Sequence, residues 1–147
     1  MKTWIALLRG INMVGRNRLP MKELVALLEG LNARDVKTYH QSGNAAFRHR
    51  GKVAARLAKR ISTAIGKAYG FEPLVMLLET EKLARIIADN PFPEAESEPG
   101  SLEVGFLTSV PEQPDWEALE EVKRKSQRFA LGQKRGHSTF WSPSAEK

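Results

Sequence analysis

Two short apolar runs limit the architectures that this 147-residue chain can adopt. Residues 4–8 (WIALL) and 74–78 (LVMLL) are continuously apolar, as is typical of strands buried inside a sheet. Between them the hydrophobic pattern predicts a helix, two strands and a second helix. The resulting β-α-β-β-α-β order predicts a ferredoxin-like α+β fold.

The elements between the two runs have clear sequence signals. Pro20 suits the first turn of a helix, and Asn32 lies where the apolar stripe of that helix stops. Residues 36–41 and 44–49 are rich in strand-forming residues on either side of a Ser-Gly turn. A single apolar stripe predicts the second helix over residues 52–69.

The second half of the chain predicts a smaller α+β subdomain over residues 80–147, packed on a ferredoxin-like subdomain over residues 1–79. No convincing repeat relates the two halves. The predicted elements of the second half are a helix capped by Thr80, an acidic surface loop at 94–100, a strand at 102–106, a helix capped by Asp115 with basic residues in its last turn, and a hairpin of residues 129–131 and 138–141.

Composition excludes several classes of protein. The hydrophobic and charged fractions, 41% and 27%, are those of an ordinary globular domain. The chain has no cysteine, which excludes disulfides and a thiol nucleophile. No apolar run approaches the roughly 20 residues that span a bilayer. Because Arg9-Gly10 follows the apolar start where a signal peptide would have a cleavage site, we expect a cytoplasmic protein with no membrane association.

Charge is unevenly distributed along the chain, whose formal net charge is +6. Residues 1–70 hold fourteen basic residues against three acids, whereas residues 71–121 hold two against thirteen. Residues 122–147 are basic again, with seven against one. Such segregation indicates either a basic half that faces anions or two oppositely charged surfaces that meet. The alternative is a chance difference between solvated faces.

The connection at residues 9–21 is the best candidate for a functional site. It carries three arginines, two glycines and two asparagines, and no acid. The predicted topology brings it to the same end of the sheet as the turn between the second and third strands. Glycines, amides and arginines beside a helix N-terminus suit an anion. The predicted ligand-binding residues are Arg9, Asn12, Arg16, Asn17, Arg18, Gln41, Ser42 and Asn44.

The ligand of such a site would be a phosphate-bearing small molecule. The loop matches neither a Walker sequence nor a dinucleotide-binding glycine pattern, so we expect no nucleoside triphosphatase and no cofactor. The structural alternative is that Asn12 and Asn44 satisfy backbone groups of the loops. Under that alternative Gly10 and Gly43 simply take positive φ angles.

Catalytic and metal-binding interpretations have weaker support. Ser42 near His40 suggests a nucleophile and base, but no acid precedes His40 to orient it. His40 and His49 lack a third ligand, so no metal site is predicted. Whether the chain is an enzyme, for example one acting on a phosphorylated small molecule, stays open.

A second candidate surface is the basic face of the second helix. Its residues could follow a nucleic-acid backbone, with Tyr39 and Phe47 stacking on bases. The alternative is a solvated helix face. The residues of this predicted nucleic-acid surface are Lys52, Arg56, Lys59, Arg60 and Lys67.

Two stretches resemble the signatures of an uncharacterised family, DUF1697. They are Arg-Gly-Ile-Asn-Met-Val-Gly-Arg-Asn-Arg-Leu-Pro-Met at residues 9–21 and Thr-Tyr-His-Gln-Ser-Gly-Asn-Ala-Ala-Phe at residues 38–47. The Asn-Pro-Phe-Pro of residues 90–93 and the following strand also fit. The resemblance implies a fold and no activity.

The chain departs from the family pattern at three places. Val14 stands where the family usually has glycine, and His40 replaces an apolar strand residue. Family members typically continue with a Gly-Arg-Ser-Lys-Leu-like segment, which this sequence lacks. The absence of that segment leads us to expect either a reduced site or a partner chain. If Trp116, Phe140 and Trp141 are left uncovered, they would form a homodimer interface, the alternative being ordinary core packing.

Overall fold

A computed structural model of the chain describes residues 1–122, 128–134 and 137–143. The chain divides into two compact units, Met1–Ile87 and Ala88–Lys147. The fold is mixed α+β, as predicted. In the first unit the elements follow in the order β1 (Lys2–Arg9), α1 (Met21–Gly30), β2 (Arg34–Tyr39), β3 (Asn44–His49), α2 (Ala54–Tyr69), β4 (Leu74–Glu79) and α3 (Thr80–Ala88, its last residue in the second unit).

The four strands of the first unit form one antiparallel sheet in the order β2-β3-β1-β4. Ala6 of β1 pairs with Ala45 of β3, and Lys2 pairs with His49. The connections at 10–20 and 40–43 therefore lie at one end of the sheet, which we call the loop end. Lys2 and His49 lie at the other end, which we call the far end.

Alternating residues of β1 place the core on one face of the sheet. Trp4, Ala6 and Leu8 are buried in the same cluster as apolar residues of α1 and α2. Ile5 and Leu7, on the other face, are only half-buried. The expectation that this strand is fully buried on both faces therefore holds for one face alone.

The stop of α1 follows from backbone geometry. Asn32 takes a left-handed conformation with φ +70°. Its N–H donates to the Glu29 carbonyl at 2.9 Å, and the Ala33 N–H donates to the Leu28 carbonyl at 3.0 Å. These two bonds form a Schellman motif, which satisfies carbonyls that a helix end leaves free. The predicted stop at Asn32 is confirmed.

The second unit contains a three-stranded antiparallel sheet in the order β5-β7-β6. Trp141 is 3% exposed and donates its indole N–H to Thr139 Oγ1 at 2.9 Å, so core packing is confirmed for Trp141. Trp116 is 45% exposed. The elements are 3-10 turns Pro93–Ser97 and Pro99–Ser101, β5 (Leu102–Leu107), α4 (Trp116–Val122), β6 (Ala130–Lys134) and β7 (His137–Pro143).

Two predictions about the second unit have definite outcomes. Asp115 caps α4, because its Oδ1 accepts a hydrogen bond from the Ala118 N–H at 2.9 Å. The basic last turn predicted for this helix, at residues 123–125, lies outside the described residues. Among the helices that the structure describes, none combines the length and apolar character needed to cross a membrane.

Candidate functional site

The connection after β1 is a small hairpin with a tight turn at its tip. The Arg16 N–H donates to the Met13 carbonyl at 2.9 Å, which closes a four-residue turn. Gly15 has φ +72°, whereas Val14 does not have a positive φ, and this combination defines a type II turn. Val14 is fully exposed at the tip.

Asn12 holds the base of this hairpin together. Its Oδ1 accepts a hydrogen bond from the Leu19 N–H at 2.7 Å, and its Nδ2 donates to the Leu19 carbonyl at 2.8 Å. The same Nδ2 donates to the Gln41 carbonyl at 2.8 Å, in the turn between β2 and β3. One asparagine side chain therefore joins the two predicted halves of the site.

Asn17 plays a similar part higher in the hairpin. Its Nδ2 donates to the Gly10 carbonyl at 2.8 Å, and its own carbonyl accepts from the Asn12 N–H at 2.9 Å. Both asparagines have positive φ, 49° at Asn12 and 53° at Asn17, which asparagine tolerates better than most residues. The amides of Asn12 and Asn17, which the sequence assigned to a ligand, are thus used by the backbone.

Gly43 seats the second turn against the hairpin. It has φ +82°, and a Cβ at this position would collide with the side chain of Ile11. Ile11 is buried, so glycine is needed both for the backbone conformation and for the close approach. The structural alternative is confirmed for Asn12, Gly10 and Gly43, because Gly10 also has a positive φ of 78°.

The remaining predicted residues of the turn are less engaged. Ser42 Oγ donates to the Tyr39 carbonyl at 3.3 Å. Gln41 contributes its main-chain carbonyl, and its side chain is exposed. Asn44 begins β3, pairs with Tyr39 and is half-buried.

The three arginines of the loop end have no described partner. Arg9, Arg16 and Arg18 are exposed, and none forms an ion pair or side-chain hydrogen bond with a residue that the structure describes. Arg9 ends β1, and Arg16 and Arg18 belong to the clamped hairpin. The structure therefore presents guanidinium groups on a backbone that other side chains fix.

An acid nearby is already engaged. Glu23, in the first turn of α1, accepts a hydrogen bond from the Tyr69 hydroxyl at the end of α2, with 2.9 Å between the oxygens. Burial raises the pKa of Tyr69 above its ordinary value of 10.0, and the hydrogen bond to Glu23 raises it further. This contact ties the two helices together at the loop end.

The structure shows how His40 and His49 are used by their neighbours. The ring of His40 packs edge-on against Tyr39, and the Ser42 hydroxyl is directed to a carbonyl. His49 is buried at the far end, where both of its ring nitrogens have backbone partners. Within the described part of the chain, no three histidine, aspartate or glutamate side chains are grouped to hold a metal ion.

The basic residues predicted to bind nucleic acid are spread along the whole of α2. Lys52 precedes the helix, and Lys59 donates to Glu72 at 2.9 Å. Arg56, Arg60 and Lys67 are exposed and have no described ion pair. Their spacing of four and seven residues places them on one side of the helix.

Two arginines that the sequence reasoning missed lie at the far end of the sheet. Arg34 begins β2 and Arg50 follows β3, and both line a surface cleft together with Arg60. The signal was the predicted strand order itself, because it brings the start of the second strand beside the end of the third.

Comparison with known proteins gives a family and a fold. The model of the family described as "Protein of unknown function (DUF1697)" matches residues 1–136. The chain belongs to the DUF1697 family. No protein with a curated description matches this chain.

A solved structure shares this fold. The conserved bacterial protein SP0830 from Streptococcus pneumoniae is similar with a TM-score of 0.73 and 25% sequence identity. The similarity covers 99% of this chain and 78% of that protein. In the present DUF1697 protein, the valine at position 14 fits the turn without strain, because the positive φ falls on Gly15.

Proposed function

We propose that this DUF1697 protein binds a phosphate-bearing small molecule at the loop end, through Arg9, Arg16 and Arg18. The observation that carries the proposal is the set of three exposed arginines without described partners on a hairpin that Asn12 fixes to the neighbouring turn. A guanidinium group can donate two parallel hydrogen bonds to two oxygens of a phosphate group. A fixed backbone lowers the entropy cost of ordering the arginine when the ligand binds.

The proposal differs from the sequence-based prediction in the role of the amides. Asn12 and Asn17 support the site from within, since their side chains already bond to backbone groups. Gln41, Ser42 and Asn44 stay proposed ligand-binding residues on account of their position beside Asn12. We propose binding and not catalysis, because the Ser42 hydroxyl is directed to a backbone carbonyl.

Thermal unfolding with inorganic pyrophosphate tests this proposal. A ligand that binds only the folded state raises the melting temperature as its concentration exceeds Kd. Replacing Arg16→Gln together with Arg18→Gln should weaken binding by about tenfold or more, because charged hydrogen bonds contribute strongly. The same rise in melting temperature with and without these substitutions would refute the proposal.

The matched control removes two positive charges elsewhere in the same unit. Lys82 and Arg85 lie on α3 and have no described ion pair. Lys82→Gln with Arg85→Gln should leave the pyrophosphate effect almost unchanged. An equal loss in the control would show that net charge, and not the hairpin, determines binding.

The alternative function is nucleic-acid binding along α2, favoured by the unpaired series Arg56, Arg60 and Lys67. It predicts retention of an oligonucleotide that weakens steeply with salt, since each phosphate contact releases counterions. Fluorescence anisotropy of a labelled single strand at increasing salt measures this. No binding at low salt would exclude the alternative, and catalysis on a phosphorylated substrate is the third candidate.

Four further assignments belong to this proposal. We propose that the first unit is ferredoxin-like, supported by its element order and its strand order β2-β3-β1-β4. A second α+β subdomain packed on it, with a boundary at residue 79, stays a prediction. Cytoplasmic location and a homodimer are also untested, and the exposed Trp116 is the residue that still favours an interface.

A further inference from the structure

A surface cleft of about 670 Å³ lies at the far end of the four-stranded sheet. Its walls come from Met1, the end of α1 and the segment after it, the start of β2, the end of β3 and the first half of α2. Three of its lining residues are arginines, Arg34, Arg50 and Arg60. The volume is within the range of about 300–1,000 Å³ typical of small-molecule sites.

Strand pairing assembles the basic lining of this cleft. Arg34 pairs with Arg48 across the β2-β3 ladder, so it lies two residues from Arg50 along the neighbouring strand end. The pairing register shifts between Arg34 and Lys37, and Asp35 within this bulge has φ +53°. Bulges of this kind redirect side chains at the edge of a sheet.

The three arginines of the cleft have no described ion pair, although the neighbouring Arg48 has one. Arg48 donates to Asp35 at 3.3 Å. In contrast, Arg34, Arg50 and Arg60 have no ion pair or side-chain hydrogen bond with any residue in the described ranges. Among the lining residues that the structure describes, Glu29 is the single acid, so this lining has an excess of positive charge.

His49 gives the cleft a fixed wall. It is 6% exposed, its Nδ1 accepts from the Gly51 N–H at 2.7 Å, and its Nε2 lies 3.1 Å from the Leu31 carbonyl. With Nδ1 as an acceptor, the proton is on Nε2, which donates to that carbonyl at the end of α1. Both nitrogens are occupied, so His49 is a scaffold that joins the backbone beside Arg50, at Gly51, to the end of α1 at Leu31.

We propose that this cleft binds a compact small molecule bearing two or more phosphoryl groups, at a site separate from the loop end. Three guanidinium groups around one volume match a ligand with several negative charges better than a single carboxylate. The cleft also exceeds the size of one phosphate, leaving room for the organic part of a nucleotide-sized ligand. Asn32, exposed in the lining, adds an amide that can bond to that part.

The test titrates the whole chain with inorganic pyrophosphate and follows binding by the NMR signals of the backbone amides. The proposal predicts that the signals of Gly51 and Arg34 titrate together. Arg50→Gln with Arg60→Gln should weaken the affinity reported by these signals by about tenfold or more. Because both side chains are exposed, the dispersion of the remaining signals should show an unchanged fold.

Two controls distinguish binding in the cleft from a general effect of positive charge. Lys82→Gln with Arg85→Gln removes the same charge from α3 and should change the affinity by less than about twofold. Lys67 lies seven residues along α2 from Arg60, about 10 Å away. Lys67→Gln should therefore also change the affinity for pyrophosphate very little. If either control weakens binding as much as the cleft pair does, the proposal is overturned in favour of net charge or of a ligand that follows α2.

Geometry of the guanidinium groups is tested by conservative replacement. Arg50→Lys with Arg60→Lys keeps the charge but removes the planar forks, so we expect affinity to remain well below that of the unsubstituted chain. Full retention would contradict recognition by arginine forks. Arg16→Gln with Arg18→Gln should leave the Gly51 titration intact, which separates failure at the cleft from failure at the loop end.

Discussion

The two ends of the four-stranded sheet each carry three arginines without an ion pair to a described residue, but they use their other polar side chains differently. At the loop end, asparagine amides bond to backbone groups and hold an exposed hairpin in place. At the far end, a buried histidine supports the walls of a cleft. The arginines are Arg9, Arg16 and Arg18 at the loop end, and Arg34, Arg50 and Arg60 at the far end.

This difference shows why a conspicuous sequence pattern and a cavity need not coincide. The glycines and asparagines of residues 9–21 follow from the demands of a tight hairpin whose turns need positive φ. The cleft arginines are scattered over 27 positions of the sequence, from Arg34 to Arg60. Strand pairing brings Arg34 close to Arg50, and the first half of α2 adds Arg60. Substitutions at one end can therefore be tested against substitutions at the other.

The largest effect on stability is expected for Asn12→Ala. This substitution removes three hydrogen bonds to backbone groups and should lower the free energy of unfolding by about 3–5 kcal/mol. Urea unfolding, followed by the NMR signals of the backbone amides of residues 1–87, measures this change in the free energy of unfolding. Asn17→Ala, which removes one side-chain bond, should cost less, and equal costs would contradict the central role of Asn12.

At the far end, His49→Ala should lower the free energy of unfolding by about 2–4 kcal/mol, because it creates a cavity at a buried side chain and leaves a partly buried N–H and a partly buried carbonyl without partners. The same urea measurement applies. The matched control is His40→Asn, since His40 is exposed and has a positive φ that asparagine accepts. We expect the control to stay within about 0.5 kcal/mol, and a loss below that limit for His49→Ala would refute its scaffold role.

Two glycine substitutions should change the free energy of unfolding in opposite directions. Gly43→Ala must accept φ +82° and displace Ile11, so we expect a loss of about 1–3 kcal/mol. Gly30→Ala, in α1 with no atom within 4 Å of the added Cβ, should gain about 0.5–1 kcal/mol. Thermal unfolding of the two variants checks the signs, and a tolerated Gly43→Ala would show that the turn is not seated on the hairpin as described.

The smallest effect concerns proton binding at Tyr69. The pKa of Tyr69 is raised in the folded state, so its protonated hydroxyl contributes to the stability of the fold. This contribution is complete below pH 10.0 and is lost as the pH rises through the folded-state pKa, which lies above that value. In a Tyr39→Phe background, absorbance titration should give a midpoint above 10.0. Because burial is the larger cause, Glu23→Gln should lower this midpoint only in part, and an unchanged midpoint would contradict the contact.

Much of the fold could be predicted from local pattern. The bounds of β3, residues 44–49, are those predicted, because the Ser42-Gly43 turn marks its start. The second strand was predicted at 36–41 but spans Arg34–Tyr39. A positive φ at His40 ends it early, and the bulge at Asp35 interrupts the alternation that would have revealed its start.

The site was harder to predict, since residue type does not reveal what a side chain bonds to. Asn12 is suited equally to a ligand and to a carbonyl of its own loop, and only the fold shows that Leu19 and Gln41 use it. His49 was considered as a metal ligand, but its two nitrogens bond to the backbone. Arg34 and Arg50 belong to no sequence motif. Their proximity follows from the pairing register of β2 and β3.

A reciprocal titration with pyrophosphate, using the amide signals of Gly15 at the loop end and Gly51 at the far end, decides whether the sheet has two separate phosphate-binding ends. Arg16→Gln with Arg18→Gln should weaken the affinity reported by Gly15 by about tenfold or more and leave that reported by Gly51 unchanged, and Arg50→Gln with Arg60→Gln should do the reverse. Loss of both responses in either variant, or no response at Gly15 and Gly51 in the unsubstituted chain, would contradict two separate ends.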